Sequence, residues 1–411
     1  MATFQQTRAE DSPAPAPPEA APTPERDASK LKSGLKGKGY DEQSAMLAPQ
    51  AEPLHSPEVS HARATQAGPD VQHQVTKPYP PDVVAVLARW PDGVAMSFFV
   101  DYADGVKGKA EFAGRAKEQA ASLGAVALVG GKLVMGKAHG IQDQATIIEK
   151  TNAVTAYLSR FLSPQDVALE RHKLAQLHIY GHGSGRGIST GGERGPKGEG
   201  DMLSKNIEDF VAAIGGSLRS NVNVALMACF TGKDVNKKGT KTPQANGEGS
   251  FADTFRDELV AQGHEDANVG GHTTKGHTSG NPLARYFTGD AEADTVFDTF
   301  FPKAFREAEA AKLGMPEDKF RSKLRSWYIH YTVIWRVGKL GEGKNTRRLE
   351  KGAQKVDLGY LMLVDPAKAK DIFRSAWAAT GGKFSDYSYV PTVDWSTVGV
   401  SGGDGAAGVR E

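Results

Sequence analysis

Between residues 96 and 262 the chain alternates short apolar runs with longer helical patterns, and few architectures accept that rhythm. Met96–Asp101, Ala125–Val129, Ala175–Tyr180 and Asn223–Met227 read as strands. Lys109–Leu123, Gln144–Leu162, Met202–Leu218 and Ser250–Gln262 read as helices. A strand followed by a helix and another strand closes most easily as a right-handed βαβ unit. A series of such units gives an open, mostly parallel sheet with helices on both faces, an α/β fold. Further along, the pattern predicts a helix over 294–311, strands over 326–335 and 359–364, and a helix over 365–379.

The N-terminal part has a different character. Residues 1–82 hold thirteen of the 22 Pro, no Trp, no Ile and one Phe. Such a segment buries too little apolar surface to offset the entropy of ordering its backbone. It is expected to be a disordered Pro/Ala-rich arm, with a folded domain over 83–395 and a flexible Gly/Ala-rich tail over 396–411. One island in the arm, residues 31–49, ends in two possible helical turns from Tyr40 to Leu47, stopped by Pro49. An island of this kind is expected to dock on a partner.

Charge and leader patterns exclude other classes. Fifty basic residues against 49 acidic give a formal net charge of +1, so no nucleic acid or anionic membrane is expected as a partner. No run approaches the ~18 apolar residues of a membrane span, and the first residues lack a signal-peptide core. The basic run 336–355 is expected to be a solvated loop.

Two loops carry the chemistry. The strand ending at Tyr180 runs into Gly181-His182-Gly183-Ser184-Gly185, and the strand ending at Met227 runs into Ala228-Cys229-Phe230-Thr231-Gly232. Loops beyond the C-terminal ends of parallel strands line the ligand crevice of such sheets. Taken alone, His182 is an incidental residue of a glycine turn and Cys229 a buried thiol. Cys229 is the one cysteine of the chain, so it has no internal disulfide partner. Together, past neighbouring strands, the two residues would face each other, and an imidazole beside a thiol supplies the base and acid of acyl transfer. Asp201, Asp234, Asp253 and Glu193 are candidates for an acidic substrate wall. Asp201, Asp234, His272 and His277 are the positions expected to touch substrate. A third cluster, His264, His272 and His277, offers an alternative zinc-hydrolase reading.

These residues resemble the caspase-like cysteine peptidases. A strand ending at His182-Gly183 is followed by one ending at Ala228-Cys229, with the histidine 47 residues upstream of the cysteine; caspases space the pair by about 50. The local pattern departs, with Met227 where caspases have Gln and Thr231 where they have Gly. The resemblance implies a caspase-like open sheet and an acyl-enzyme cysteine endopeptidase. Cys229 would be the nucleophile, His182 the acid/base, and the N–H groups of Gly183 and Cys229 the oxyanion donors, with no metal or organic cofactor. An idle dyad in a structural or adaptor protein is the other reading. The island GLKGKGYDEQSAMLAP resembles a short motif in proteins encoded with bacterial contractile injection systems. It implies a toxin-like effector, made in the bacterial cytoplasm without a signal peptide. Residues 31–49 would engage a component of the particle, and the peptide substrate would lie in the target cell.

Overall fold

The computed structural model describes residues 78–101, 109–190, 201–236, 241–275, 281–288, 294–334 and 358–398. All belong to one unit, Lys77–Glu411. The island at 31–49, Glu193, His277, the basic run 336–355 and residues 399–411 lie outside the described residues.

The elements follow in the order α1 Pro81–Arg89, β1 Val94–Val100, α2 Lys109–Leu123, β2 Val126–Val129, β3 Lys132–Met135, β4 His139–Ile141, α3 Gln144–Ser159, α4 Pro164–Ala168 and β5 Leu174–Tyr180. Then come β6 His182–Ser184, β7 Gly187–Ser189, β8 Met202–Leu203, α5 Ile207–Ile214, β9 Leu218–Met227, α6 Phe251–Ala261, β10 Asn268–His272, β11 Ala284–Thr288 and β12 Asp294–Thr295. The described chain closes with α7 Val296–Phe300, α8 Lys303–Lys312, α9 Glu317–Ile334, α10 Leu358–Val364 and α11 Pro366–Ala379.

Seven strands form the main sheet in the order β12-β11-β10-β9-β5-β1-β4. The pairs from β10 to β4 are parallel, and β11 and β12 are antiparallel. The α/β class with a mostly parallel sheet is therefore as expected. Two consecutive residues of β10 show that both faces are covered. A Cβ on Gly270 would lie 2.9 Å from Leu363 of α10, and one on Gly271 would lie 3.1 Å from Ala252 of α6. Successive strand residues point to opposite faces, so α10 and α6 lie on opposite sides.

Caps written in the sequence start several helices. Asp143 accepts from Thr146 N–H, Ser250 from Asp253 N–H, and Asp365 from Lys368 N–H, with Pro366 opening α11. Four expectations need correction. Residues 326–335 were expected as a strand, but 326–334 belong to helix α9. Its buried side chains Phe320, Leu324, Trp327, Tyr328 and Tyr331 recur at helical spacing. Residues 359–364 lie in α10 rather than in a strand. Every residue of α10 is buried, and a fully apolar run has no periodicity to tell the two apart. The helix expected from Met202 starts only at Ile207, because Met202 and Leu203 pair with β7. The helix over 294–311 breaks into α7 and α8, with Pro302 between them.

Where the expected core boundaries fall, the chain is already anchored. Tyr79 donates from its hydroxyl to Asp166 at 2.6 Å. At the other end Arg89 binds the carbonyls of Trp395 and Val398, and Val398 is buried.

Polar side chains key α10 to the sheet. Asn223 of β9 donates to the carbonyls of Leu363 and Val364, at 3.3 and 3.0 Å. On β5 the fully buried His178 lies 3.0 Å from Gln176 Oε1 through Nε2 and 3.1 Å from the Tyr360 hydroxyl through Nδ1. A glutamine oxygen only accepts, so Nε2 carries the proton and Nδ1 accepts from Tyr360. Burial pushes His178 down to about 3. The unfolded chain takes up this proton below about 6.5 and the folded chain does not, so stability falls as pH drops from 6.5 toward 3. Between pH 7 and pH 5 this residue alone should remove about 2 kcal/mol. Urea midpoints at the two pH values check this, and a His178→Gln chain should lose that part of the slope.

Candidate active site

Both candidate residues sit at one edge of the sheet because the strands that carry them are parallel neighbours in register. The pairing of β5 with β9 ends with Tyr180 opposite Met227. His182 and Cys229 each come two residues later. Gly181 N–H donates to the Met227 carbonyl at 3.4 Å, so the two chains stay together one step beyond the ladder.

Contact between the two loops depends on missing side chains. A Cβ on Gly183 would stand 2.7 Å from Ala228 Cβ and 2.7 Å from the Cys229 carbonyl oxygen. One on Gly185 would stand 2.7 Å from Val235 Cγ1. The β6–β7 hairpin that begins at His182 is therefore nested against the segment running from Cys229 to Val235. Gly183 and the small Ala228 meet here, on the two loops that the sequence marks for the chemistry.

His182 is half-buried, and its ring packs edge-on against Phe112 of α2, with centroids 4.8 Å apart at 87°. Phe112 is itself fully buried, so the imidazole leans on a fixed wall. Cys229 is half-buried and in no disulfide. The chain turns sharply just after it, because Phe230 adopts φ +61°, a left-handed conformation that is uncommon for a bulky residue.

Bonds to β10 and its extension hold that turn. Phe230 N–H donates to the Thr274 carbonyl at 3.2 Å, and Gly232 N–H to the His272 carbonyl at 2.9 Å. The buried Thr231 donates from its hydroxyl to the Ala228 carbonyl at 3.3 Å, and its own carbonyl accepts from Ala252 N–H. A Cβ on Gly232 would be 2.6 Å from the Gly271 carbonyl oxygen, so the turn lies directly on the strand. Lys233 covers the Phe230 ring at 4.9 Å.

The expected substrate-wall residues are placed as follows. Asp234 lies on the Cys229 segment, paired with Arg285 of β11 at 2.5 Å and accepting from Gly247 N–H. Asp201 accepts from Thr190 N–H, and its carbonyl accepts from Asn206. Asp253 is buried on α6 against Arg256, and burial raises its pKa. His272 ends β10 with its side chain fully buried, so it offers a substrate no surface.

The zinc reading fails on position. His264 precedes β10 and holds the Arg219 carbonyl with Nδ1 at 3.0 Å, whereas His272 ends that strand. Five strand residues span roughly 15 Å, too far for two ligands of one ion. Among the described residues no group of three His, Cys, Asp or Glu is arranged to hold a metal.

Sequence reasoning missed Phe112, the left-handed Phe230 and the Arg285–Asp234 pair. Phe112 and Arg285 come from elements remote in sequence, and no local pattern marks them. The chain matches no protein-family model, no curated protein and no solved structure.

A single methyl group tests the nesting of the loops. Gly183→Ala should destabilise the chain by about 1–3 kcal/mol and change the rate at which iodoacetamide alkylates Cys229. Gly114→Ala is the control. Gly114 is exposed within α2 with open space around its would-be Cβ, and that change should stabilise by about 0.5–1 kcal/mol. Thermal melts and timed alkylation read both.

Proposed function

We propose that this chain is a caspase-like cysteine endopeptidase with Cys229 as nucleophile and His182 as general acid and base. The observation that carries this reading is the in-register end of β5 and β9, from which both residues emerge side by side at the C-terminal edge of a parallel sheet. The mutual approach of Gly183 and Cys229 supports it further.

In this reading His182 takes the thiol proton and Cys229 attacks the peptide carbonyl. The tetrahedral oxyanion forms beside the N–H groups of Gly183 and Cys229, the donors the resemblance names. His182 then protonates the leaving amine, and water attacks the thioester to free the acyl product and restore the thiol. The strained turn at Phe230 fixes the direction of the thiol, a use of backbone strain common at reactive sites.

We further propose delivery as an effector by a contractile injection particle. This rests on the sequence of residues 31–49 alone, and deletion of those residues should abolish loading into particles while leaving peptidase activity unchanged.

The direct test is proteomic. Wild-type protein added to a lysate should create new N-termini, and Cys229→Ala and His182→Ala should each lower that cleavage by about 10³-fold or more. Circular dichroism should show both variants folded. Full cleavage by Cys229→Ala would overturn the peptidase reading. Iodoacetamide separates it from an idle dyad, since an imidazole-activated thiolate alkylates quickly at neutral pH and an inert thiol does not.

A further inference from the structure

A cavity opens one strand beyond the Cys229 turn. It has a volume of about 280 Å³ and is lined by Thr273, Pro282, Leu283, Ala284, Thr295, Phe297, Arg321 and Arg325. Its chemistry is divided: an apolar floor comes from the start of β11 and from α7, and two guanidinium groups four residues apart on α9 stand over it.

Those two cations are only partly neutralised. Arg321 binds Asp298 at 3.1 Å, but Arg306 draws on the same carboxylate at 3.0 Å and on Glu317 at 2.6 Å. Three guanidinium groups, Arg306, Arg321 and Arg325, therefore face two carboxylates. Among the described residues none places a carboxylate within ion-pair distance of Arg325, and both Arg321 and Arg325 are exposed. Arg321 also lies over the Phe297 ring at 5.8 Å, which orients its planar group along the cavity wall. A guanidinium fork held at the mouth of an apolar cavity suits a carboxylate carried on an apolar body.

We propose that this cavity binds such a carboxylate, with Arg325 as the principal anchor, Arg321 beside it, and the apolar stem on Leu283, Ala284 and Phe297. The group has two possible carriers: a small free carboxylic acid or the acidic side chain of a peptide. The site also touches the Cys229 turn. Thr273 lies between His272 and Thr274, whose carbonyls hold the N–H groups of Gly232 and Phe230. An occupant against Thr273 is thus one peptide unit from the bonds that fix the turn. Binding itself does not depend on the peptidase reading.

Calorimetric titration of the full chain with hexanoate and with hexanamide tests the proposal, alongside a short apolar peptide containing Glu and its Gln counterpart. The expected result is that the acid binds at least about tenfold tighter than the amide in one of the two pairs. The pair that responds identifies the carrier. Arg325→Ala should weaken that binding about tenfold or more, and Arg325→Lys should restore part of it. Arg325 is exposed, so an unchanged melting temperature shows that loss of binding is not loss of fold. Equal affinity for acid and amide in both pairs, no binding of either acid at 10 mM, or full affinity in Arg325→Ala would each overturn the proposal. Because Cys229 takes no part in binding, the titration in a Cys229→Ala background separates failure of this site from failure of the proposed peptidase.

Discussion

The parallel pairing of β5 with β9 is the constraint on which the candidate site depends. It sets Tyr180 opposite Met227, and every later contact follows from that register. A one-residue slip would turn the buried residues of β9 to the other face and carry Cys229 along the edge, away from the His182 hairpin. Asn223 and His178 tie the register to α10 on one face, and on the other face α6 packs on the neighbouring strand β10. The position of the candidate thiol is therefore set by the core, and the loops supply the last two residues of reach.

Much of this arrangement could be read from residues alone. The strand–helix alternation predicted a mostly parallel sheet, and three of its five parallel strands, β1, β5 and β9, overlap expected runs; the run 125–129 forms instead the antiparallel pair β2–β3, apart from the main sheet. The glycines around His182 marked a sharp loop at the strand's end, and the small Ala228 left room for a close backbone approach. What stayed hidden is what tertiary packing decides. The apolar run at 359–364 has no period, so burial on all sides made it a helix where a strand was expected. Residues 326–334 are rich in aromatic and β-branched side chains, but α9 packs its Trp327, Tyr328 and Tyr331 as one face of a helix. The acidic residues near Cys229 looked like a substrate wall in the sequence. In the fold Asp234 pairs with Arg285, which is 51 residues away and carries no local sign of that role.

The two ends of β10 show how position in a sheet sorts residues of the same type. His264 and His272 are eight residues apart, close enough in sequence to suggest shared ligands. The strand β10 lies between them and holds them at its opposite ends, with His264 bonded to the Arg219 carbonyl. Sequence proximity within one strand is distance, whereas the 47 residues between His182 and Cys229 are traversed by a helix that returns the chain to the same edge.

Phe230 gives the edge a further property. A bulky residue held at φ +61° carries strain of about 1–3 kcal/mol, and its N–H is fastened to the single carbonyl of Thr274. The turn is therefore held in a strained shape by its hydrogen bonds. The bonds of Gly232 to His272 and of Thr231 to Ala228 and Ala252 share the load, so the strain rests on the loop and not on the ladder of the seven-stranded sheet beneath.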